Sequence, residues 1–122
     1  MAVRGIRGAT TCNEDAGSVL SAASELLSAI VEANPSLQPE EIVSILFTAT
    51  GDLNTVYPAK AAREMGWTEI PLMCVQEMNV SGSLPHCIRV LILWNTDLAQ
   101  SAVRHVYLHD ARQLRPDLTY EK

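Results

Sequence analysis

The sequence is poor in the features that usually announce a chemistry. Its three cysteines, Cys12, Cys74 and Cys87, show no CxxC spacing, which fits a reducing compartment better than a disulfide framework. No apolar run approaches the roughly 20 residues of a membrane span. The opening MAVRGIRGATT lacks the apolar stretch of an export signal, so a cytoplasmic chain with no membrane partner is expected. There is no phosphate-binding loop, Rossmann glycine pattern, nucleophile elbow or zinc-protease motif. Phosphoryl transfer, cofactor redox chemistry and hydrolysis of the common kinds lose ground accordingly, and neither a cofactor nor a metal is expected. Positive charge is scarce as well. Nine basic residues against fourteen acidic ones give a net charge of −5, which argues against a nucleic-acid partner.

What remains is a globular composition: 122 residues, 48% hydrophobic and 19% charged, with no repeat or linker, read as one domain over 1–122. VRGIRGAT at 3–10 reads as a strand with Val3, Gly5, Arg7 and Ala9 on one face, its glycines at 5 and 8 suggesting close approach by another backbone or a ligand. Thr11-Cys12-Asn13-Glu14 matches a capping box. Val19, Ala23, Leu26, Leu27 and Ile30 then follow at helical spacing until Asn34-Pro35. Ile42 to Thr50 reads as a strand covered on both faces. Pro58 opens a short helix that Gly66 stops. Ile70–Met78 and His86–Trp94 read as strands, Thr96-Asp97 as the start of a helical turn, and Val103–His109 as a last strand. The tail from about 111 reads as polar and irregular. The order β-α-β-α-β-β-α-β predicts an α/β (α+β) domain with a mixed sheet.

Seven of the nine basic residues are arginines, whose rigid fork of donors suits planar anions. Arg89 is the sharpest anomaly, set inside the apolar string CIRVLILW. A guanidinium keeps its proton, so burial demands an anionic or hydrogen-bonding partner. The alternatives are an edge arginine paired with a carboxylate, or a cation aimed into a pocket. Arg7 lies between two glycines. Lys60 and Arg63 share a helix face, where like charges cost stability unless an anion sits between them, although a Lys60–Glu64 pair is also available. Glu77 is the one carboxylate in its strand. Cys74 lies on the opposite face by strand parity, so both serve one site only through a bulge or at a subunit interface. His105, Tyr107 and His109 alternate along the last strand, and without a third ligand a metal site there is disfavoured.

Taken together, RGIRGATT, ATGDLNTVYPAKAARE, CVQEMNVSGSLPHCIRVLI, RHVYL and LRPDL resemble the small monofunctional chorismate mutases of the trimeric α/β class, distinct from the all-helical ones. The resemblance runs from Val3 to Leu118. It implies conversion of chorismate to prephenate in aromatic amino-acid biosynthesis, and a homotrimer folded as a pseudo-α/β barrel with active sites between subunits. By the same resemblance Arg89 faces the substrate's ether oxygen, while Arg7, Tyr107 and Arg63 meet its carboxylate and enolpyruvyl groups. Ala59 and Lys60 line the cleft, Glu77 and Cys74 hold the ring hydroxyl, and Leu114 and Arg115 belong to a mobile tail that closes over the site. Two departures bear on pocket shape: Tyr57 stands where the family often has Phe, and Met73 replaces a smaller residue.

The implied reaction is a concerted intramolecular rearrangement. It needs no nucleophile, proton transfer or cofactor, which agrees with the motifs the chain lacks. Catalysis then rests on holding a compact conformer and on charge preorganised where negative charge develops. Two other readings stay open. Trimeric imine or enamine deaminases have a similar fold but lack the spaced Arg7, Glu77, Arg89 and Tyr107. A non-catalytic module would keep the pocket without turnover.

Overall fold

In the computed structural model, which describes residues 2–118, the chain runs β1 (Ala2–Thr11), α1 (Ala16–Ala33), β2 (Ile42–Ala49), α2 (Ala59–Glu64), β3 (Leu72–Gln76), β4 (Cys87–Thr96) and β5 (Val106–Tyr107). Short 3₁₀ turns lie at Pro39–Glu41, Gln100–Ala102, His109–Gln113 and Pro116–Leu118. The strands form one mixed sheet in the order β3-β2-β4-β1-β5. The pairs β1–β4 and β2–β4 are antiparallel, whereas β1–β5 and β2–β3 are parallel, the latter crossing over through α2.

Alternation along these strands divides the sheet into two unlike faces. Ile6 of β1, Ile45 and Phe47 of β2, and Val90, Ile92 and Trp94 of β4 are buried, and they join Leu26, Leu27 and Ile30 of α1 in the main core. Gly8 permits that approach. A methyl there would stand 2.9 Å from Ile30 Cδ1 and 3.0 Å from Val90 Cγ2. The group that approaches this glycine is a set of core side chains, Ile30 and Leu26 of the helix and Val90, and not the backbone or ligand expected. By length and composition α1 could cross a membrane, but its apolar side, from Val19 to Ile30, is sealed against the sheet.

The other face is open except where Ala9, Cys87 and Tyr107 are buried with Ala111. Val3, Met73, Val75 and Leu91 are each at least 40% exposed, and Leu46 and Thr48 of β2 are half-buried. The sequence expectation that β2 is covered on both faces is thus corrected for the single chain: only its Ile45–Phe47 side is.

Several boundaries also move. The helix is capped by Asp15, whose carboxylate accepts from the Ser18 amide, while Ser18 Oγ accepts from Asn13 N; the Thr11–Glu14 box is not used. Pro58 is the cap of α2, one residue before its start, and Gly66 follows the helix with φ +90°. β3 is shorter than read, since Pro71 has no N–H to donate and serves only through its carbonyl, which accepts from Ile45 N. β4 begins at Cys87 and runs on to Thr96, so the helical turn starts later, at Gln100.

β5 is only two residues long because side chains replace the rest of its ladder. Gln100 clasps Gly5, donating from Nε2 to its carbonyl and accepting its N–H at Oε1. Arg4 Nε donates to the Leu98 carbonyl. Buried Asn34, just past α1, donates to Ile30 O and Arg104 O and accepts from Arg104 N. Of the tail expected from about 111, residues 119–122 lie outside the described residues, and Ala111 is buried beneath Tyr107.

Removing the Asn34 side chain would break its two part-buried hydrogen bonds to the Arg104 backbone and the one to the Ile30 carbonyl. Asn34→Ala is expected to destabilise the protein by about 3 kcal/mol, seen as a lower urea midpoint with an unchanged slope.

Candidate active site

The register of the central strands brings the charged residues together. Arg89 of β4 stands opposite Ala9 of β1 and Thr48 of β2. Ala9 is in turn paired with Tyr107 of β5, and Thr48 with Val75 of β3. One row on the open face therefore reads Val75, Thr48, Arg89, Ala9, Tyr107. The neighbouring row places Arg7 opposite Leu91 and Leu91 opposite Leu46. Thr48, Arg89 and Tyr107 of the first row and Arg7, Leu91 and Leu46 of the second line a cavity of about 600 Å³, to which Glu77, Leu114 and Arg115 also contribute.

Glu77 lies just past β3, where its N–H still reaches the Ala49 carbonyl at 2.9 Å. Its Oε2 accepts from Thr48 Oγ1 at 2.7 Å and stands 3.2 Å from Arg89 Nε. That nitrogen is buried and its N–H is not aimed at a partner, so the pair is joined by charge more than by an aligned hydrogen bond. The Arg89 side chain is nonetheless 41% exposed. Arg89 is not an edge arginine, since β4 is the central strand; it is paired with a carboxylate and also lines a cavity.

His105 has a role that residue spacing did not suggest. Its Nδ1 accepts the Arg7 N–H at 2.9 Å, fixing the backbone that carries Arg7. Burial, with the nearby charges of Arg7 and Arg115, lowers its pKa. His109 turns away at φ +54° to pair with Glu25 at 2.8 Å, so the two histidines do not share a site. Among the described residues no group of three His, Cys, Asp or Glu side chains could hold a metal. Thr48 was missed because only strand pairing shows that its hydroxyl shares a face with Arg89. Arg115 forms a two-point pair with Asp117 at the cavity's margin.

The remaining candidates lie apart from this cavity. A second one of about 550 Å³ is lined by the loop from Ala49 to Pro58, with Tyr57, Cys74 and Val75. Tyr57 is 71% exposed, and Met73 projects from the open face at 63%. Cys74 is half-buried against the core on the side opposite Met73, as strand parity requires. Ala59 is buried in α2, whereas Lys60 and Arg63 are exposed. No Lys60–Glu64 ion pair forms, which removes one alternative for that helix face. The thiols of Cys12, pushed up to about 11 chiefly by burial, and of Cys87, also raised by burial, are held protonated.

The sheet face gathers arginines around one carboxylate and one tyrosine, an arrangement of charge suited to a small anion and to electrostatic work. Comparison with known proteins gives that arrangement a family. The model of type I chorismate mutases matches residues 3–118. Chorismate mutase AroH of Thermus thermophilus is 51% identical over 117 residues, covering 95% of this chain and 96% of that protein. Its counterpart in Bacillus subtilis (strain 168) is 48% identical over 124 positions, covering 100% and 97%. A solved chorismate mutase from Clostridium thermocellum superposes with a TM-score of 0.87 at 44% identity, over 89% of this chain and 97% of that one. The chain belongs to the type I chorismate mutase family, isomerases of aromatic amino-acid biosynthesis.

The lowered pKa of His105 has a stability consequence. Above its ordinary value of 6.5 the ring is neutral in both the folded and the unfolded chain. Below 6.5 the unfolded chain takes up a proton that the folded one resists, so stability falls as pH falls. Urea midpoints between pH 8 and 5 should show this loss. His105→Asn, which offers an acceptor that does not titrate, should flatten it.

Proposed function

We propose that the protein rearranges chorismate to prephenate in clefts shared between neighbouring subunits of a cytoplasmic homotrimer. The observation that carries this reading is the division of the charged residues into two half-sites. Arg7, Glu77, Arg89 and Tyr107 surround one cavity, while Tyr57 and Cys74 line another and Lys60 and Arg63 stand exposed on α2. Neither half is a complete anion site by itself. An open sheet face bearing Val3, Met73, Val75 and Leu91 supports association as a pseudo-α/β barrel. In that assembly the α2 cations of one subunit, with Tyr57, Ala59, Met73 and Cys74, face the Arg89 cavity of the next.

In the reaction the ether C–O bond breaks as a C–C bond forms within one molecule, and negative charge grows on the ether oxygen. Arg89 supplies the positive charge that stabilises it. Arg7, Arg63, Lys60 and Tyr107 bind and orient the two carboxylates and the enolpyruvyl group in the compact conformer. Glu77 accepts the ring hydroxyl and is not a base. Leu114 and Arg115 close over the bound substrate. Because an uncharged group at 89 would still fill the cleft, the loss should fall on the transition state and not on binding.

Arg89→Gln is expected to lower kcat by about two to three orders of magnitude with a much smaller rise in KM, followed by loss of chorismate absorbance. An unchanged kcat would remove Arg89 from the mechanism. Sedimentation at micromolar concentration should give a trimer, and an active monomer would overturn the shared cleft. Identification of prephenate as the product separates this reading from a deaminase or a non-catalytic module.

A further inference from the structure

We propose that Thr48 is a positioning residue for the rearrangement, acting through Glu77 on the charge that Arg89 presents. The inference rests on the cleft assignment above and deepens it. An arginine and a carboxylate at this distance ordinarily close into a two-point fork, with both oxygens on the guanidinium. Here they do not. Their closest approach is Glu77 Oε2 to Arg89 Nε, over 3.2 Å and out of line with the N–H.

Glu77 is held off by two anchors. Its backbone N–H is fixed to the Ala49 carbonyl at 2.9 Å, and its Oε2 receives the Thr48 hydroxyl at 2.7 Å. Since an ionised carboxylate only accepts, the proton of this bond belongs to Thr48. Thr48 is well made for the task. It is β-branched and stiff at χ1, and it sits opposite Arg89 in an interior strand pair. The hydroxyl therefore has a fixed origin one strand away from the guanidinium it serves. Among the described residues Oε1 of Glu77 has no hydrogen-bond partner, and no aligned hydrogen bond joins its carboxylate to Arg89.

The consequence is a controlled degree of neutralisation. A free Glu77 would swing into the fork, cover the guanidinium and weaken the field at the reacting oxygen. With Thr48 holding one oxygen, Glu77 steadies Arg89 at Nε and leaves it charged toward the cavity. Oε1 stays available as an acceptor for substrate. Thr48 itself touches no reacting atom.

Thr48→Val keeps the shape and strand preference and removes only the hydroxyl. It should lower kcat by about 10- to 100-fold with KM changed far less. Thr48→Ser, which restores the hydroxyl, should recover kcat to within a few-fold of the parent. In a Glu77→Ala background, Thr48→Val should cost no further activity, because the carboxylate it positions is gone. A Thr48→Ser variant as slow as Thr48→Val, or a full additional loss in the Glu77→Ala background, would overturn the proposal. So would a parent-like kcat in Thr48→Val while Arg89→Gln is impaired. If Arg89→Gln itself keeps its kcat, the cleft assignment fails first and takes this proposal with it. Far-ultraviolet circular dichroism and the thermal midpoint of each variant separate these outcomes from unfolding.

Discussion

The fixed register of β2, β4 and β1 is the constraint from which the rest of the molecule follows. Because side chains alternate from one face to the other, the antiparallel pairing that sets Ile6, Ile92 and Ile45 together under α1 also sets Arg7, Leu91 and Leu46 together on the far side. A slip of one residue would bury Arg89 beneath the helix and expose Val90. The hydrophobic demand of the core thus specifies the placement of the cleft without any of the cleft residues contributing to it. Gly8 tightens this coupling: it lets α1 lie close to β1, one residue from Arg7 on the opposite face.

A net charge of −5 and a cationic cleft are compatible because charge acts locally. At physiological ionic strength exposed charges beyond about 8 Å are screened, so the carboxylates spread over the surface say little about the potential between Arg7 and Arg89. What decides that potential is Glu77, the carboxylate closest to Arg89. The site carries a built-in opposition, an anion that supports the arginine and would also quench it. Its geometry is settled by a hydroxyl from a third strand. His105 plays a comparable part for Arg7, from the main chain and not the side chain.

Local patterns in the sequence went far for elements that are locally determined. The helical spacing from Val19 to Ile30, the Pro58–Gly66 bracket of α2 and the strand around Arg7 all stand in the structure. They failed where tertiary partners substitute for local ones. β5 shrank because Asn34, Gln100 and His105 side chains take over its hydrogen bonds, and no periodicity can report that. The cap fell on Asp15 and not Thr11, since Thr11 was already committed as a strand residue opposite Cys87. Arg89 and Glu77 were visible as charges out of keeping with their neighbours. Thr48 was not, because threonine in a strand is unremarkable until its cross-strand partner is known. The parity argument that set Cys74 and Glu77 on opposite faces was legible in the sequence and is seen in the fold.

The clasp of Gln100 on Gly5 bears on how the molecule behaves among its own copies. A sheet grows where an outer strand offers its N–H and C=O groups, and such an edge recruits other chains during folding and at high concentration. Along β1 those groups are occupied at Gly5 by Gln100, at Arg7 by the His105 ring, and at Gly8 and Ala9 by β5. A two-residue strand and two side chains thus give the protection of a longer strand. The β1 backbone is thus shielded for most of its length, while among the described residues β3 and the short β5 form the two margins of the sheet.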